Sequence, residues 1–173
     1  MDYQTYQDIQ WLERLGDRGK FLQVILGEVL KQGDCTIYEC NLVEGKDLYL
    51  ELRGEKYGLE VKTCDSMKVT VGDKDLRDIK EAGKDVNPGF AVLRIHPNAE
   101  WRITDPKVFE IGNQHTLPVT AMRANPLSEL QNIVNTHNDS VLQSVVREMK
   151  EAGYGKTDDL GVKELKRKLL QEN

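Results

Sequence analysis

At 173 residues, the chain is long enough for one complete hydrophobic core, whereas two full-sized domains would be crowded. Hydrophobic residues make up 39% and charged residues 31%, which excludes an intrinsically disordered chain, and no apolar run approaches the roughly 20 residues of a membrane-spanning helix. The net charge of −5 argues against broad nonspecific adhesion to a polyanion. It leaves a nucleic-acid enzyme open, because carboxylates that bind a divalent metal also make a chain acidic.

The N-terminal residues predict a cytoplasmic protein, and the cysteines are not arranged as a cross-linked or zinc-binding framework. The segment MDYQTYQDIQWLERL is polar and acidic, and it lacks the basic start and apolar middle of a secretory signal. Cys35, Cys40 and Cys64 are odd in number and form no CxxC pair. Neither a disulfide framework nor a structural zinc site is therefore indicated.

The first third of the chain predicts a long helix followed by strands. Apolar periodicity predicts a helix over 6–31, interrupted near 16–19, with Gly33 suited to its C-terminal stop. A strand is expected at 35–40. The runs LYLEL (48–52) and YGLEVKT (57–63) predict a β-hairpin, in which Gly54 and Glu55 suit a two-residue turn with glycine first.

The middle of the chain predicts a second helix over 73–84, with Leu76, Ile79 and Ala82 facing inward. Asn87-Pro88-Gly89 predicts a break, and FAVLRI (90–95) a buried central strand. The order helix, three strands, helix, strand fits an α/β sandwich layered around a mixed sheet. Three shorter segments between residues 101 and 122 are candidate strands that extend the sheet: WRI, VFEI and LPVTAM.

The C-terminal part predicts helices alone. They are expected over 127–136, 140–152 and 162–171, separated by turns at 137–139 and 153–155. We therefore divide the chain into a core over 1–122 and a C-terminal helical region over 123–173.

One acid-x-lysine tripeptide points to a functional site. Six such tripeptides occur, beginning at Glu44, Glu60, Asp78, Asp105, Glu148 and Glu164. Only Glu60-Val61-Lys62 lies in a convincing strand. Because residues two apart on a strand share a face about 6.6 Å apart, Glu60 and Lys62 should point the same way while Val61 points into the core.

The expected register of the hairpin adds Asp47 to this pair. With Gly54 and Glu55 as the turn, Leu50 opposes Leu59 on a buried face, and Asp47 opposes Lys62 on the other. Asp47 and Glu60 would repel each other by roughly 4 kcal/mol at 4 Å and an effective dielectric constant of 20 unless a cation lay between them. Mg²⁺ is the natural cation, held by both carboxylates and the carbonyl of Val61, while Lys62 orients or helps to deprotonate the attacking water.

This arrangement resembles the PD-(D/E)xK nuclease superfamily, in which an acid opening one strand precedes the (D/E)xK tripeptide of the next. The resemblance implies a restriction-endonuclease-like three-layer core and hydrolysis of phosphodiester bonds in DNA with Mg²⁺ or Mn²⁺. Relatives such as Holliday-junction resolvases add a first-helix glutamate to the metal site, and Glu28 is similar in placement. The family's proline is replaced by Lys46, which leaves open whether Asp47 or Glu51 is the first carboxylate.

Other interpretations remain open at this stage. Glu60 and Lys62 are alternatively the solvated face of an ordinary hairpin, with an Asp47–Lys62 ion pair worth at most about 1 kcal/mol. The chain is alternatively a catalytically inactive nucleic-acid-binding or assembly protein on the same fold, and RNA is not excluded as the substrate. A homodimer suits the nuclease interpretation, since cutting both strands of a duplex usually needs two centres.

Overall fold

The computed structural model describes residues 3–15, 18–42, 47–80, 85–95, 99–109, 116–123, 126–154 and 159–171. The helices are α1 (Tyr3–Leu15), α2 (Arg18–Gln32), α3 (Asp73–Lys80), α4 (Ser128–Glu151) and α5 (Asp159–Gln171). The strands are β1 (Thr36–Cys40), β2 (Leu48–Leu52), β3 (Glu55–Cys64), β4 (Lys68–Thr70), β5 (Asn87–Arg94), β6 (Glu100–Thr104) and β7 (Thr116–Pro118). No helix of the described ranges is both long and apolar enough to cross a membrane.

Within the described residues, five strands form a mixed sheet in the order β1-β2-β3-β5-β6. The neighbouring pairs are antiparallel except for β3 and β5, which run parallel and are connected through α3. This confirms the predicted α/β class and the order helix, three strands, helix, strand. A separate two-stranded sheet pairs β4 with β7, and β4 was not predicted.

The sheet lies between two apolar layers because its strands alternate in the direction of their side chains. One face, which carries Leu50, Leu59 and Leu93, packs in a single cluster with α2, α4 and α5. The other face carries Phe90 and Val92, which pack against a smaller cluster. That cluster also contains Val69, Val71, Ile79, Val108, Phe109 and Val119. A three-layer arrangement results.

The turn of the β2–β3 hairpin differs from the prediction. Arg53 and Gly54 form it with φ angles of 53° and 84°, the left-handed pair that matches the twist of antiparallel strands. Leu48 therefore pairs with Leu59 and Leu50 with Tyr57, a shift of two residues from the predicted register. Since side chains alternate with a period of two, this shift leaves every side chain on its predicted face.

Several element boundaries also differ from the predictions. Asn87-Pro88-Gly89 is the start of β5 and not a break, because these residues pair with β3. A Cβ atom on Gly89 would lie 2.6 Å from Leu59 Cδ2, so glycine here permits close packing. The prediction for 73–84 is confirmed over α3, with Ile79 buried, while Ala82 lies outside the described residues.

The segments after residue 100 follow the predictions only in part. WRI is part of β6 and extends the sheet as predicted. The strand predicted for VFEI is wrong at Val108 and Phe109, since Pro106–Phe109 is a 3-10 helix, and the last two residues of VFEI lie outside the described residues. LPVTAM divides between β7 and the 3-10 helix Val119–Arg123 and does not join the main sheet.

One helix covers the two that were predicted over 127–152. The predicted turn at 137–139 is wrong, because α4 continues through it. Asn138 is buried there, and its Oδ1 accepts a hydrogen bond of 2.9 Å from Trp101 Nε1. This contact with β6 satisfies a side chain that by itself favours turns. The turn at Gly153, with φ of 75°, occurs as predicted.

Candidate active site

Asp47 lies immediately before β2 and is held by three hydrogen bonds. Its backbone carbonyl accepts from Gln23 Nε2 at 2.9 Å and from the amide of Asn41 at 2.8 Å. Its carboxylate Oδ2 accepts from the amide of Val61 at 2.6 Å. The carboxylate therefore accepts a hydrogen bond from a backbone amide of β3 at the point where β2 begins, which fixes the position of Asp47 relative to β3.

Glu60 and Lys62 project from β3 on the face opposite the main core. Glu60 is buried, with 6% of its surface exposed. Lys62 Nζ lies 2.9 Å from Glu60 Oε1 and 3.0 Å from Asp75 Oδ1. The interpretation as a solvated hairpin face is therefore wrong at this point, since the glutamate is buried and its ammonium partner bridges two carboxylates.

The corrected register changes which of these residues are neighbours. Leu48 pairs with Leu59, so the same register continued by one residue brings Asp47 beside Glu60. The predicted Asp47–Lys62 pair is wrong. Glu51 opposes Lys56 nearer the turn and accepts a hydrogen bond of 2.9 Å from the hydroxyl of Tyr38. Asp47, which immediately precedes β2, and not Glu51, is thus the carboxylate adjacent to Glu60.

Asp75 completes the cluster and was missed in the sequence. It lies in the first turn of α3, where its Oδ2 accepts a hydrogen bond of 2.9 Å from the amide of Gly72. An acid three residues after a helix N-cap commonly accepts this bond, so the local conformation was predictable. Its contact with Lys62 was not predictable, because the chain between the two residues includes the short strand β4, which was not predicted. We call Asp47, Glu60, Lys62 and Asp75 the acidic cluster.

The electrostatics of the acidic cluster follow from burial and from charge repulsion. Burial raises the pKa of Asp47 to about 6, although the hydrogen bond from Val61 acts in the opposite direction. Burial and the charge of Asp47 raise the pKa of Glu60 to about 7. Both carboxylates therefore bear charge at a free-energy cost near neutral pH, which a nearby cation would reduce.

The other two groups shift in directions that keep them charged. Burial acts to lower the pKa of Lys62, but its bonds to Glu60 and Asp75 outweigh this effect and raise it. Burial acts to raise the pKa of Asp75, but hydrogen bonds from Gly72 and Lys62 outweigh it and lower the pKa. Lys62 and Asp75 thus form a charged pair at neutral pH.

The donor atoms of the cluster fit a magnesium ion better than a softer metal. Asp47 and Glu60 offer carboxylate oxygens, and Mg²⁺ is commonly held by one or two carboxylates together with water and substrate phosphate. The amide of Val61 donates to Asp47. Because the N–H and C=O groups of one strand residue point to the same side of the strand, the carbonyl of Val61 also points toward Asp47. Among the described side chains, no group of three or more His, Cys, Asp or Glu residues is arranged to hold a metal ion.

Glu28, predicted as a further ligand, lies half-buried on α2. Its participation, like the metal-binding roles of Asp47, Glu60 and Val61, stays a prediction. Gln23 on the same helix was not singled out in the sequence. It is buried and donates to the carbonyls of Asn41 and Asp47 at 2.7 and 2.9 Å, which ties the start of β2 to α2.

No family model matches the chain, and no curated protein matches it. Among solved structures, Hjc of Archaeoglobus fulgidus, described as a Holliday junction resolvase from an archaeal hyperthermophile, is similar with a TM-score of 0.49 and 14% sequence identity. The likeness covers 62% of this chain and 88% of that chain. At this similarity the match establishes neither family membership nor activity.

Proposed function

We propose that the chain is a nuclease that uses Mg²⁺ or Mn²⁺ to hydrolyse phosphodiester bonds in DNA. The observation that carries this proposal is the acidic cluster, in which the half-buried Asp47 and the buried Glu60 both have raised pKa values, and Lys62 follows Glu60 on the same face of β3. Buried like charges of this kind are costly in a structural role and typical of catalytic sites. The order of helices and strands around them is the one expected from the sequence for a restriction-endonuclease-like core.

Asp47 and Glu60 would hold the metal ion in this proposal, with the carbonyl of Val61 and the carboxylate of Glu28 as further ligands. The bound ion would supply positive charge that stabilises the scissile phosphate as its own charge develops. Gln23 and the amide of Val61 keep Asp47 in place, so the first carboxylate would be oriented before substrate arrives.

Lys62 would act as a charged hydrogen-bond donor. Its raised pKa keeps the ammonium protonated at neutral pH, which favours orienting the attacking water over removing its proton. The ammonium adds positive charge close to the phosphate. Asp75, as its second partner, holds it in place.

Metal titration by calorimetry tests the site directly. Wild-type protein should bind Mn²⁺ or Mg²⁺, and Asp47→Asn and Glu60→Gln should each abolish detectable binding. Glu51→Gln is the matched control. It removes a carboxylate from the same face of β2, but this carboxylate accepts a hydrogen bond from Tyr38 and is not adjacent to Glu60. Binding that survives in both Asp47→Asn and Glu60→Gln would refute the metal site.

A cleavage assay tests the activity and the choice of substrate. Wild-type protein with Mn²⁺ should cleave at least one member of a panel of duplex, single-stranded, flap and junction DNA, with RNA of the same sequences for comparison. Lys62→Ala should lower the rate by about 10²- to 10³-fold, and Lys56→Ala, an exposed lysine of the same strand, should not. Undiminished cleavage by Lys62→Ala would refute its assigned role.

A specific contact favours a second candidate function, namely a nucleic-acid-binding or assembly protein without catalysis. Lys62 Nζ already bridges Glu60 and Asp75, so an ammonium supplies part of the positive charge that a metal would bring. This alternative predicts nucleic-acid binding without metal binding and without cleavage in the two experiments above.

A homodimer in the cytoplasm completes the proposal. Cleavage of both strands of a duplex usually needs two active centres, which a symmetric dimer supplies. Light scattering coupled to size-exclusion chromatography would give the mass, and a monomer with and without DNA would contradict the dimer.

A further inference from the structure

Three arginines converge on one glutamate at the end of the sheet where β5 finishes. Arg94 lies on β5, Glu100 and Arg102 on β6, and Arg123 at the end of a 3-10 helix. Arg94 Nη2 lies 3.1 Å from Glu100 Oε2. Arg102 Nη2 contacts Glu100 Oε1, and Arg123 Nη2 lies 3.6 Å from the same oxygen. We call these four residues the arginine cluster.

The arginine cluster carries more positive charge than its own carboxylate neutralises. Every ion pair of these three arginines within the described residues is made with Glu100, which leaves a surplus of two positive charges. The side chains of Arg94 and Arg102 are only 10% and 15% exposed. Charges shielded from water in this way normally have a counterion, and Glu100 alone is insufficient.

The guanidinium groups also have hydrogen-bonding capacity that is not used. The Nε atoms of Arg94 and Arg102 are buried and have no hydrogen-bond partner among the described residues. A further donor of Arg94, Nη1, lies 3.3 Å from the sulfur of Met67, which is a weak acceptor. Buried donors usually find a partner, so the cluster is short of oxygen acceptors as well as of negative charge.

The arginine cluster occupies the same face of the sheet as Glu60 and Lys62. Lys62 opposes Val92, and Val92 opposes Arg102, so the three side chains share one face. Two strand spacings separate Lys62 from Arg102, or roughly 10 Å between their backbones. Val92 is buried between them under the smaller apolar cluster, so the two sites are close but separate.

We propose that the arginine cluster binds a phosphate group of a nucleic-acid backbone, at a second contact outside the acidic cluster. A phosphate offers several oxygens to the planar fork of each guanidinium and the negative charge that the cluster lacks. Arg123 is the point of entry, since its side chain is 59% exposed. The assignment of the phosphate to a nucleic acid rests on the proposed function.

The first test measures DNA binding without cleavage. A fluorescein-labelled duplex is titrated with protein in EDTA over a series of salt concentrations, and anisotropy gives the affinity. Arg123→Ala should weaken binding about tenfold and reduce the slope of log affinity against log salt by about 1. Arg53→Ala is the control, because Arg53 is 78% exposed and, among the described residues, makes an ion pair with Glu129 alone. Equal affinity and slope for Arg123→Ala and wild type would overturn the proposal.

A second variant separates anion binding from a purely structural ion-pair network. Glu100 competes with a phosphate for the same guanidinium groups, so Glu100→Gln should tighten DNA binding several-fold. A structural network predicts lower thermal stability and unchanged affinity. Circular dichroism establishes that each variant is folded, and Arg123→Ala, which alters an exposed side chain, keeps the proposal testable if Glu100→Gln unfolds.

Inorganic phosphate distinguishes the two sources of the anion. It should compete with the duplex on wild-type protein and much less on Arg123→Ala. Phosphate that stabilises the protein through Arg123 without displacing DNA would overturn the assignment to a nucleic acid.

Because DNA binding is measured in EDTA, its outcome is independent of catalysis. Loss of cleavage in Glu60→Gln with retained Arg123-dependent binding supports both proposals. DNA binding through Arg123 in a protein that never cleaves would refute the nuclease alone.

Discussion

At the scale of single residues, the ion pair of Asp75 with Lys62 predicts how a substitution of Asp75 affects cleavage. Its carboxylate is the second ion-pair partner of Lys62, together with Glu60, so Asp75→Asn should leave metal binding intact while Lys62 loses one charged partner. Loss of an orienting partner typically lowers activity by about 10- to 100-fold. We expect a fall of that size in cleavage rate, with an unchanged affinity for Mn²⁺.

Two controls accompany this variant. Asp73→Asn removes a carboxylate from the same first turn of α3 and should leave the cleavage rate near that of wild type. Asp75→Glu restores the charge and should recover part of the activity. Equal rates for Asp75→Asn and wild type would mean that Lys62 does not depend on Asp75.

The raised pKa values of Asp47 and Glu60 predict how stability depends on pH. The values are about 6 and about 7 in the folded chain, against 3.8 and 4.5 for the ordinary groups. The folded state therefore binds protons that the unfolded state has released, and the free energy of unfolding falls as pH rises from about 4 to about 7. Asp75 and Lys62 titrate outside this window.

Urea denaturation in EDTA at several pH values measures this dependence. The double variant Asp47→Asn and Glu60→Gln, in which neither group titrates, should show a flatter profile over the same range. A wild-type profile that rises with pH between about 5 and about 7 would contradict the raised pKa values.

At the scale of elements, the β2–β3 hairpin depends on its left-handed turn. Gly54 has a φ of 84°, and a Cβ atom there would contact nothing within 4 Å. Gly54→Ala should therefore cost about 1–2 kcal/mol of stability from backbone strain alone. The comparison is Gly89→Ala, whose Cβ would meet Leu59 at 2.6 Å and Leu127 at 2.8 Å and should cost about 1–3 kcal/mol through overpacking.

Urea denaturation of both glycine variants separates the two causes. Progressively larger side chains at position 89 should lower the free energy of unfolding progressively, because the cost there is steric. Gly54→Asn should instead recover most of the stability that Gly54→Ala loses, because asparagine tolerates the left-handed conformation. Equal losses for Gly54→Ala and Gly54→Asn would exclude strain at this turn.

The hairpin also explains how far the site was predictable from sequence. Alternation identified which side chains share a face, and a register shift of two residues does not change that. The predicted cross-strand pairs within that face were wrong, because Arg53 adopts a left-handed conformation that is usual for glycine or asparagine and so takes part in the turn. Asp47 was therefore predicted opposite Lys62 although it lies beside Glu60. Asp75 was missed because its contact with Lys62 depends on tertiary structure.

The errors in the elements have the same origin. His137-Asn138-Asp139 has turn-forming composition, yet Asn138 is helical because Trp101 donates to it. Pro88 lies in a strand because β5 begins with a parallel pairing to β3. In each case a partner distant in sequence overrides a local preference, whereas the long apolar periodicities, which bury whole faces, were predicted correctly.

At the scale of the whole molecule, the C-terminal helices belong to the main core. Gln131 on α4 accepts a hydrogen bond from the amide of Ile103 at 2.9 Å and donates to the carbonyl of Trp101 at 3.1 Å. α4 thereby satisfies the backbone of β6, an edge strand among the described residues. The division at residue 122 proposed from the sequence thus cuts through hydrogen bonds that complete the sheet.

A truncated chain that ends at Arg123 tests whether the first part folds alone. The removed helices contribute these buried side chains to the main apolar cluster: Leu130, Val134, Leu142, Val146, Met149, Val162, Leu165 and Leu169. At about 1.5–3 kcal/mol for each, the loss of their burial is as large as or larger than the net stability of about 5–15 kcal/mol typical of a domain. We expect the shortened chain to show no cooperative thermal transition by circular dichroism and to bind a hydrophobic dye. A sharp transition instead would mean that residues 1–123 fold independently, and that the acidic cluster does not need α4 and α5 for its support.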